Sequence, residues 1–252
     1  MTTAALSGQI ALVTGASRGI GAGIATALAQ EGLSVAVAAR KLESLAETVR
    51  VIEESGGRAF PVELDVTSAD SIRAAVEAVT ATLGPIDLLV NNAGINIPRP
   101  TLEATEEQWD QVIDTNLKGP FLCSQIVGRS MVERKRGKIV NISSAAGLIA
   151  APERAAYSSS KAGLIMLTRV LALEWGPYGI TVNAIAPTFV ETELAAQTLN
   201  LPGMREYWTT RIPLGRLATI EDVAGAVIYL ASPAGDFVTG SVIPVDGGLT
   251  MR

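Results

Sequence analysis

The sequence predicts an α/β fold with a doubly wound, seven-stranded parallel sheet that carries helices on both faces. Short apolar runs alternate with longer amphipathic segments along the 252 residues, and such alternation favours parallel strands joined by right-handed crossovers. Apolar residues make up 48% of the chain and aromatic residues only 4%, which predicts the aliphatic core of buried parallel strands. No polar linker or internal repeat divides the sequence, so we predict a single domain over residues 1–252.

Hydrophobic periodicity places the individual elements. The predicted strands are Ile10–Val13, Ser34–Ala39, Ala59–Leu64, Ile86–Asn91, Lys138–Ile142, Ile180–Ala184 and Ser241–Val245. The predicted helices are Gly21–Glu31, Leu42–Glu54, Ala69–Leu83, Glu106–Glu133 and Ala156–Trp175. The segment at about 187–216 is rich in proline and glycine and is predicted to be irregular. Because long loops of this kind commonly bind ligands, we predict that it forms a substrate lobe.

Charge and cysteine content narrow the function classes. The formal net charge is −5, and no dense basic stripe offsets it, which argues against a nucleic-acid partner. Cys123 is the only cysteine, so neither an intramolecular disulfide nor a Cys-rich metal site is expected. The sequence shows no secretory signal and no apolar run of about 18 residues. We therefore expect a soluble, cytoplasmic protein without a metal or a membrane partner.

A glycine-rich turn, TGASRGIG at 14–21, joins the first predicted strand to the first predicted helix. Glycines permit a tight turn there, and the free N–H groups at the start of a helix attract a pyrophosphate. Three residues separate the first two glycines and one separates the last two, which differs from the common GxGxxG spacing. Taken alone, the turn could also be an ordinary connection with no ligand.

The chain has no histidine, so a proton donor that works near neutral pH must be another residue. Tyr157 and Lys161 are four residues apart on a predicted helix and therefore project from the same face. A free tyrosine has a pKa of about 10. We expect the nearby ammonium group to lower the pKa of Tyr157 by stabilising the phenolate.

The TGxxxGIG turn, NNAG at 91–94 and YxxxK at 157–161, in this order, resemble the short-chain dehydrogenase/reductase family over essentially the whole chain. The resemblance implies a Rossmann-type fold and reversible hydride transfer between a nicotinamide dinucleotide and a carbonyl or alcohol group. It also implies a homotetramer assembled through the two long central helices and the C-terminal region. The catalytic residues that it implies are Asn116, Ser144, Tyr157 and Lys161.

In this resemblance Tyr157 is the general acid in reduction and the general base in oxidation, while Ser144 holds the substrate oxygen. Lys161 also binds the nicotinamide ribose, and Asn116 positions a water in a proton relay. The sequence NISS offers two adjacent serines, Ser143 and Ser144. A separation of thirteen residues from the tyrosine selects Ser144.

The implied cofactor-binding positions lie at the ends of the first four strands, on the helix that carries Tyr157 and Lys161, and after the sixth strand. They are Gly15, Ser17, Arg18, Gly19, Ile20, Gly21, Arg40, Asp65, Val66, Asn92, Ala93, Gly94, Tyr157, Lys161, Pro187, Val190 and Thr192. Asp65 could instead be a turn or cap residue. The family most often has glycine after Pro187, whereas this chain has Thr188. Because a β-branched residue restricts the backbone, we expect the shape of the pocket to differ here.

Charge at the end of the second strand predicts NADP(H) as the cofactor. An NAD-selective site normally places a carboxylate there to bind the ribose hydroxyls, but this chain has Ala39 followed by Arg40. Arg40 and Arg18 suit a 2′-phosphate through charge-assisted hydrogen bonds. Arg40 could instead be a solvated residue at the start of a loop.

The predicted substrate wall is largely apolar, and reduction of ketones or β-keto esters is the first choice. Some of the candidate residues are expected only to pack the lobe, and the full set is Ile149, Ala150, Leu194, Leu199, Leu201, Met204, Tyr207 and Trp208. Arg154 or Glu153 could orient a polar substrate, but a solvated loop charge is the favoured interpretation. Reduction of 3-oxoacyl chains on acyl carrier protein is disfavoured because Pro177–Gly179 lacks the basic docking residue of those enzymes. A sugar or polyol dehydrogenase and a non-catalytic dinucleotide-sensing protein are also compatible with the sequence.

Overall fold

The computed structural model describes residues 6–251, apart from the side chains of residues 194 and 197, and contains one seven-stranded sheet. All pairings between neighbouring strands are parallel. The strands are β1 (Ile10–Thr14), β2 (Ser34–Ala39), β3 (Arg58–Glu63), β4 (Leu88–Asn91), β5 (Gly137–Ile142), β6 (Ile180–Pro187) and β7 (Val242–Val245). All seven predicted strands are confirmed, with ends that differ by up to three residues.

The helices cover both faces of this sheet. They are α1 (Gly19–Gln30), α2 (Ala46–Glu54), α3 (Ala69–Thr82), α4 (Glu106–Ile113), α5 (Gly119–Arg134), α6 (Ala155–Trp175), α7 (Glu193–Leu199), α8 (Met204–Thr209) and α9 (Ile220–Ala231). Side chains alternate across each strand: Ala11 and Val13 of β1 pack with α1 and α9, whereas Leu12 packs with α3 and α5. The predicted doubly wound α/β architecture is thus confirmed.

The strand order β3-β2-β1-β4-β5-β6-β7 reverses direction between β1 and β4. The chain first winds outward from β1 to β3 and then returns across the sheet to continue from β4 to β7. Such a reversal opens a crevice at the carboxyl ends of the strands, where open α/β sheets bind their ligands. The carboxyl ends of β1, β4, β5 and β6 therefore define where a site should lie.

Three helical predictions need correction. The single helix Glu106–Glu133 is wrong, because a π-helical segment over Asp114–Lys118 separates α4 from α5. The stretch predicted to be irregular contains the short helices α7 and α8. Helix α9 was missed, although Thr219 and Asp222 form a capping box at its start.

The described part of the chain contains neither a membrane-spanning helix nor a cluster of metal-binding side chains. Within residues 6–251, no helix is long and apolar enough to cross a membrane. Over the same range, no group of three or more His, Cys, Asp or Glu side chains could hold a metal ion.

Candidate active site

The carboxyl ends of the strands open into a cleft of about 2170 Å³ that most of the predicted site residues line. Two members of the predicted set, Gly21 and Asn116, do not line it. Each lies directly behind the wall, with Gly21 packed against Gly15 and Asn116 close to Gly94. The predicted cofactor and catalytic residues are therefore brought together, although they are spread along the sequence from position 15 to position 192.

Close packing makes glycine necessary in the turn between β1 and α1. Gly15 and Gly19 have φ angles of 64° and 58°, a left-handed conformation that favours glycine. A Cβ on Gly21 would lie 2.3 Å from the Gly15 carbonyl oxygen, and a Cβ on Gly15 would lie 2.8 Å from Ala93 Cα. The turn is thus a cradle that added side chains would distort, with the free N–H groups of α1 at its floor, as a pyrophosphate site requires.

Asn92 supports this turn from the end of β4. Its Nδ2 donates to the carbonyl oxygens of Thr14 at 2.9 Å and Gly15 at 3.1 Å. The backbone N–H groups of Asn92 and Ala93 both donate to the Thr14 hydroxyl. The Asn92 side chain therefore fixes the glycine turn, in addition to lining the cleft as predicted.

Basic residues surround the cleft at the end of β2, where Ala39 stands in the position of a carboxylate. Arg40 and Lys41 both line this region and are exposed. Arg18 lines it too, but its side chain forms an ion pair with Glu193 at the start of α7. Arg18 is therefore engaged across the cleft rather than grouped with Arg40 around a common site. Lys41 was not predicted, although it directly follows Arg40 in the sequence.

Asp65 and Val66 lie after β3 and line the same part of the cleft. One oxygen of Asp65, Oδ1, accepts hydrogen bonds from the Thr67 N–H at 2.9 Å and the Thr67 hydroxyl at 2.8 Å. Asp65 is therefore a turn residue, the second of the two roles that its position in the sequence allowed. Because Asp65 also lines the cleft, the same geometry is compatible with its predicted place in the cofactor site.

Helix α6 carries Tyr157 and Lys161 one turn apart, and both side chains reach the cleft beside Ser144. Lys161 is 4% exposed, and its Nζ donates to the Ile142 carbonyl oxygen at 2.8 Å. The same Nζ lies 5.8 Å from the centre of the Tyr157 ring. The buried ammonium of Lys161 thus lies close to the Tyr157 ring, between helix α6 and the end of β5.

The neighbouring serines have different environments. Ser143 is 4% exposed, and its hydroxyl donates to the Lys161 carbonyl oxygen at 2.9 Å. Ser144 follows, and its Oγ accepts from the Ala146 N–H at 3.1 Å while facing the Tyr157 hydroxyl. Of the two, only Ser144 is placed to share a substrate oxygen with Tyr157, in agreement with the choice from sequence spacing.

Burial controls the ionisation of the pair. Burial lowers the pKa of Lys161 to about 8. Burial also raises the pKa of Tyr157, and this effect is opposed by a hydrogen bond with Ser144 and by the charge of Arg154. The expectation of a lowered tyrosine pKa is therefore wrong for the chain by itself, because desolvation of the phenolate outweighs the stabilising contacts.

Asn116 lies in the π-helical segment and is fully buried. Its Oδ1 accepts from the Ile95 N–H at 2.8 Å, and its Nδ2 donates to the Ile95 carbonyl oxygen at 2.9 Å. A Cβ added to Gly94 would lie 3.3 Å from Asn116 Oδ1 and 3.5 Å from Lys161 Nζ. Glycine at position 94 therefore keeps open the space between the amide and the ammonium.

The segment after β6 closes the cleft on its other side. Val190 pairs with Ala218 in an isolated parallel bridge, and the Thr192 hydroxyl caps α7 by accepting from the Ala195 N–H at 3.4 Å. Thr188, in the position where glycine is more usual in the family, donates its N–H to the Val245 carbonyl oxygen. Its hydroxyl oxygen is buried and has no hydrogen-bond partner among the described residues.

The substrate side differs from the predicted apolar wall. Ile149, Ala150 and Trp208 line the cleft, whereas Leu199 is 4% exposed and packs inside the lobe. Three further predicted wall residues are not part of the lining, and the side chain of a fourth, Leu194, lies outside the described residues. The three are Leu201, Met204 and Tyr207.

Three further residues line this region. Phe189 packs against Trp208 with their ring centres 4.6 Å apart. Phe189 and Thr198 belong to the predicted substrate lobe, although neither was named as a wall residue. Asn96 was not predicted, and no sequence pattern marked it. The interpretation of Arg154 as a solvated loop charge is also wrong, since its side chain is half-buried in the cleft.

Comparison with known proteins gives consistent matches over the full length. The family model of enoyl-(acyl carrier protein) reductases matches residues 15–250. Gluconate 5-dehydrogenase of Gluconobacter oxydans is 39% identical over 246 residues, covering 98% of this chain and 96% of that protein. The 3-oxoacyl-[acyl-carrier-protein] reductase of Thermotoga maritima is 42% identical over 247 residues, covering 98% and 99%.

A solved structure shows the same architecture. Gluconate 5-dehydrogenase from Burkholderia cenocepacia, in complex with NADP and tartrate, matches with a TM-score of 0.95 at 36% identity, covering 99% of each chain. The sequence motifs, the sheet order and these full-length matches agree. The chain therefore belongs to the short-chain dehydrogenase/reductase family, whose members are oxidoreductases acting on alcohol and carbonyl groups.

Proposed function

We propose that this protein catalyses the NADPH-dependent reduction of a ketone carbonyl to a secondary alcohol, in a reversible reaction. The observation that carries the proposal is the placement of Tyr157, Ser144 and Lys161 in one cleft with the glycine cradle at 15–21. The relatives described above are dehydrogenases and a reductase, which supports the same reaction class.

The glycine cradle and the basic end of β2 fit the dinucleotide. The tight approach of Gly15 and Gly21 leaves room for backbone contact with a pyrophosphate. Arg40 and Lys41 would bind the 2′-phosphate, which favours NADP(H) over NAD(H). Beyond β6, Pro187, Val190 and Thr192 would hold the nicotinamide end. When bound, this cofactor supplies the hydride that is added to the carbonyl carbon.

The chain's own residues handle the proton and the substrate oxygen. Because burial raises the pKa of Tyr157, this side chain is protonated at neutral pH and can donate its proton to the carbonyl oxygen. Ser144 would donate a second hydrogen bond to that oxygen as negative charge develops. The buried ammonium of Lys161 would stabilise the phenolate that remains. Asn116 would complete a proton path across the space that Gly94 leaves open.

A Tyr157→Phe variant tests the proposal. It keeps the ring but removes the proton donor, so kcat/KM with NADPH and a neutral ketone such as ethyl acetoacetate should fall about 10²- to 10⁴-fold. Binding of NADPH, measured by the change in its fluorescence, should be retained. Unchanged turnover in the variant, or binding of NADPH without oxidation across a broad ketone panel by the wild-type protein, would refute the proposal.

We further propose a homotetramer in the cytoplasm. Exposed apolar side chains lie on α5 and α6, including Phe121 at 41%, Met166 at 55% and Leu173 at 81% exposure. Isolated exposed apolar residues are ordinary, but a group on adjoining helices is typical of a protein interface.

A further inference from the structure

Arg154 lies at the start of helix α6, three residues before Tyr157, and its guanidinium group reaches into the cleft. One guanidinium nitrogen donates to the Thr198 hydroxyl at 3.2 Å. The guanidinium carbon lies 5.4 Å from the centre of the Phe189 ring. Both partners line the substrate side of the cleft, so the side chain is held there by the lobe rather than by solvent.

Among the described residues, no carboxylate neutralises this cation. No ion pair of residues 6–251 within 4.0 Å includes Arg154, whereas Arg18, Arg205 and Arg216 each pair with an acidic side chain. The adjacent Glu153 acts on Arg154 only through longer-range charge, and its own side chain is exposed. Burial correspondingly lowers the pKa of Arg154. A half-buried cation without a counter-ion is unfavourable, and an anionic ligand would relieve this cost.

The backbone before Arg154 is in an uncommon conformation. Glu153 has a φ angle of 61°, and within the described residues it shares a positive φ outside glycine only with Lys135. Lys135 ends helix α5, where the left-handed conformation is usual. Glu153 has no such role, because it precedes a helix, and its carbonyl oxygen accepts from the Arg99 N–H at 2.9 Å. Such strain outside a cap is typical of sites where a turn positions a functional side chain.

Other polar groups on this side of the cleft lack a hydrogen-bond partner within the described part of the chain. Buried atoms without a hydrogen-bond partner among the described residues include Trp208 Nε1, Thr188 Oγ1 and Asn96 Oδ1. All three residues line the cleft. Because unpaired buried polar groups are costly, they favour a polar substrate over the apolar one that the sequence predicted.

The positions of Arg154 and Tyr157 limit the size of that substrate. Arg154 is the N-cap residue of α6 and Tyr157 lies in its first turn. Both residues line the cleft, and the positive charge of Arg154 opposes the rise in the pKa of Tyr157, so the two groups lie in one region of the cleft. A molecule with a few carbon atoms between its carbonyl and an anionic group could contact both.

We propose that Arg154 binds a substrate carboxylate, so that the enzyme preferentially interconverts short oxo acids and hydroxy acids. This inference rests on the proposed function and adds the substrate class to it. In the reduction, a hydride from NADPH forms the new C–H bond, and the Tyr157 proton forms the O–H bond as the carbonyl π bond breaks. The carboxylate remains unchanged, and NADP⁺ is the second product.

The experiment compares acids with their own esters, using levulinate with methyl levulinate and acetoacetate with ethyl acetoacetate. For each pair, the ratio of kcat/KM for the acid to kcat/KM for the ester is measured for the wild type, Arg154→Gln, Arg154→Lys and Arg211→Gln. Arg211 is an exposed arginine of the same lobe that does not line the cleft. NADPH fluorescence titration and circular dichroism check that each variant is folded.

The wild type should favour the acids, and Arg154→Gln should lower the acid-to-ester ratio about ten- to a hundredfold, mainly through KM for the acid. Arg154→Lys should retain part of the preference, and Arg211→Gln all of it. An equal loss for acid and ester would show that Arg154 acts only through Tyr157 and would overturn the proposal. Turnover of esters alone by the wild type would also overturn it while leaving the proposed function intact. Turnover of neither would overturn this proposal, and it would reject the proposed function as well if the wild type also oxidises no NADPH across the broad ketone panel.

Discussion

At the scale of residues, Ser143 and Ser144 show that a shift of one position decides whether a serine faces Tyr157. The first points inward and bonds to the backbone of Lys161, while the second turns toward Tyr157. Successive side chains at the end of a strand face opposite directions, so a shift of one residue would remove the serine from the site. The spacing to Tyr157 had selected Ser144, which is the serine that faces Tyr157 in the structure.

The buried ammonium of Lys161 predicts a pH-dependent stability. Its pKa is lowered to about 8, whereas an unfolded lysine titrates near pH 10.4. Between about pH 8 and pH 10 the unfolded chain therefore binds more protons at this site, and stability rises with pH. The free energy of unfolding of the wild type relative to Lys161→Met should increase by up to about 3 kcal/mol across this range.

Urea unfolding of both proteins, each without cofactor, at about pH 7.5 and pH 10 measures this difference. Lys118→Met, at an exposed lysine that pairs with Asp114, is the control and should show no comparable change. A constant difference between wild type and Lys161→Met at both pH values would contradict the effect of burial on this lysine.

A single residue, Arg40, is expected to determine the preference for NADPH over NADH. Arg40→Asp removes a cation from the 2′-phosphate region and adds a carboxylate that can bind ribose hydroxyls. We expect kcat/KM for NADPH to fall by about a hundredfold and the preference to shift toward NADH, since one charge-assisted hydrogen bond contributes about 1.5–3 kcal/mol. Steady-state kinetics with both cofactors measure the ratio. Arg58→Asp, an exposed change outside the cleft, should leave it unaltered.

At the scale of elements, the segment between α4 and α5 has the largest consequence for the site. The sequence pattern predicted one continuous helix, but a π-helical turn over Asp114–Lys118 interrupts it. The wider turn contains Asn116, whose amide bonds to both backbone groups of Ile95. Such π-helical turns are frequent at functional sites. Periodicity could not reveal it, because one added residue barely disturbs the apolar spacing.

The turn between β1 and α1 can be tested with two glycines of the same chain. A Cβ on Gly21 would clash with the Gly15 backbone at 2.3 Å, whereas Gly225 in α9 has nothing within 4 Å. Gly21→Ala should destabilise the protein by about 1–3 kcal/mol and weaken NADPH binding more than tenfold. Gly225→Ala should instead stabilise it by about 0.5–1 kcal/mol, because alanine favours the helix. Thermal unfolding and NADPH titration measure both effects, and equal behaviour of the two variants would contradict the role of the cradle.

At the scale of the whole molecule, the reversal of strand order between β1 and β4 determines where the site lies. It brings the glycine turn after β1, Asn92 after β4 and Ser144 after β5 to one edge of the sheet. The lobe formed by α7 and α8 then covers the substrate side and positions Trp208 and Thr198. Sheet order thus collects the groups that carry the reaction, while the lobe shapes the pocket.

The exposed apolar side chains of α5 and α6 predict self-association. Leu173→Glu places a charge on the most exposed of these positions. If the helices pack against another copy, the variant should form smaller species, because a buried unpaired charge is costly. Size-exclusion chromatography with light scattering measures the mass. Leu102→Glu, at a fully exposed leucine on a turn, should retain the wild-type mass.

The sequence alone determined the sheet, most of its helices and most of the predicted cofactor and catalytic positions that line the cleft. Strand periodicity and motif spacing are local properties, so the positions of Gly15, Ser144, Tyr157 and Lys161 could be read from the order of residues. Only the tertiary structure decided that burial raises the pKa of Tyr157, and that Arg154 turns into the cleft with no counter-ion among residues 6–251. Desolvation and charge pairing depend on neighbours that are distant in the chain, which is why the polar character of the substrate side emerged only from the fold.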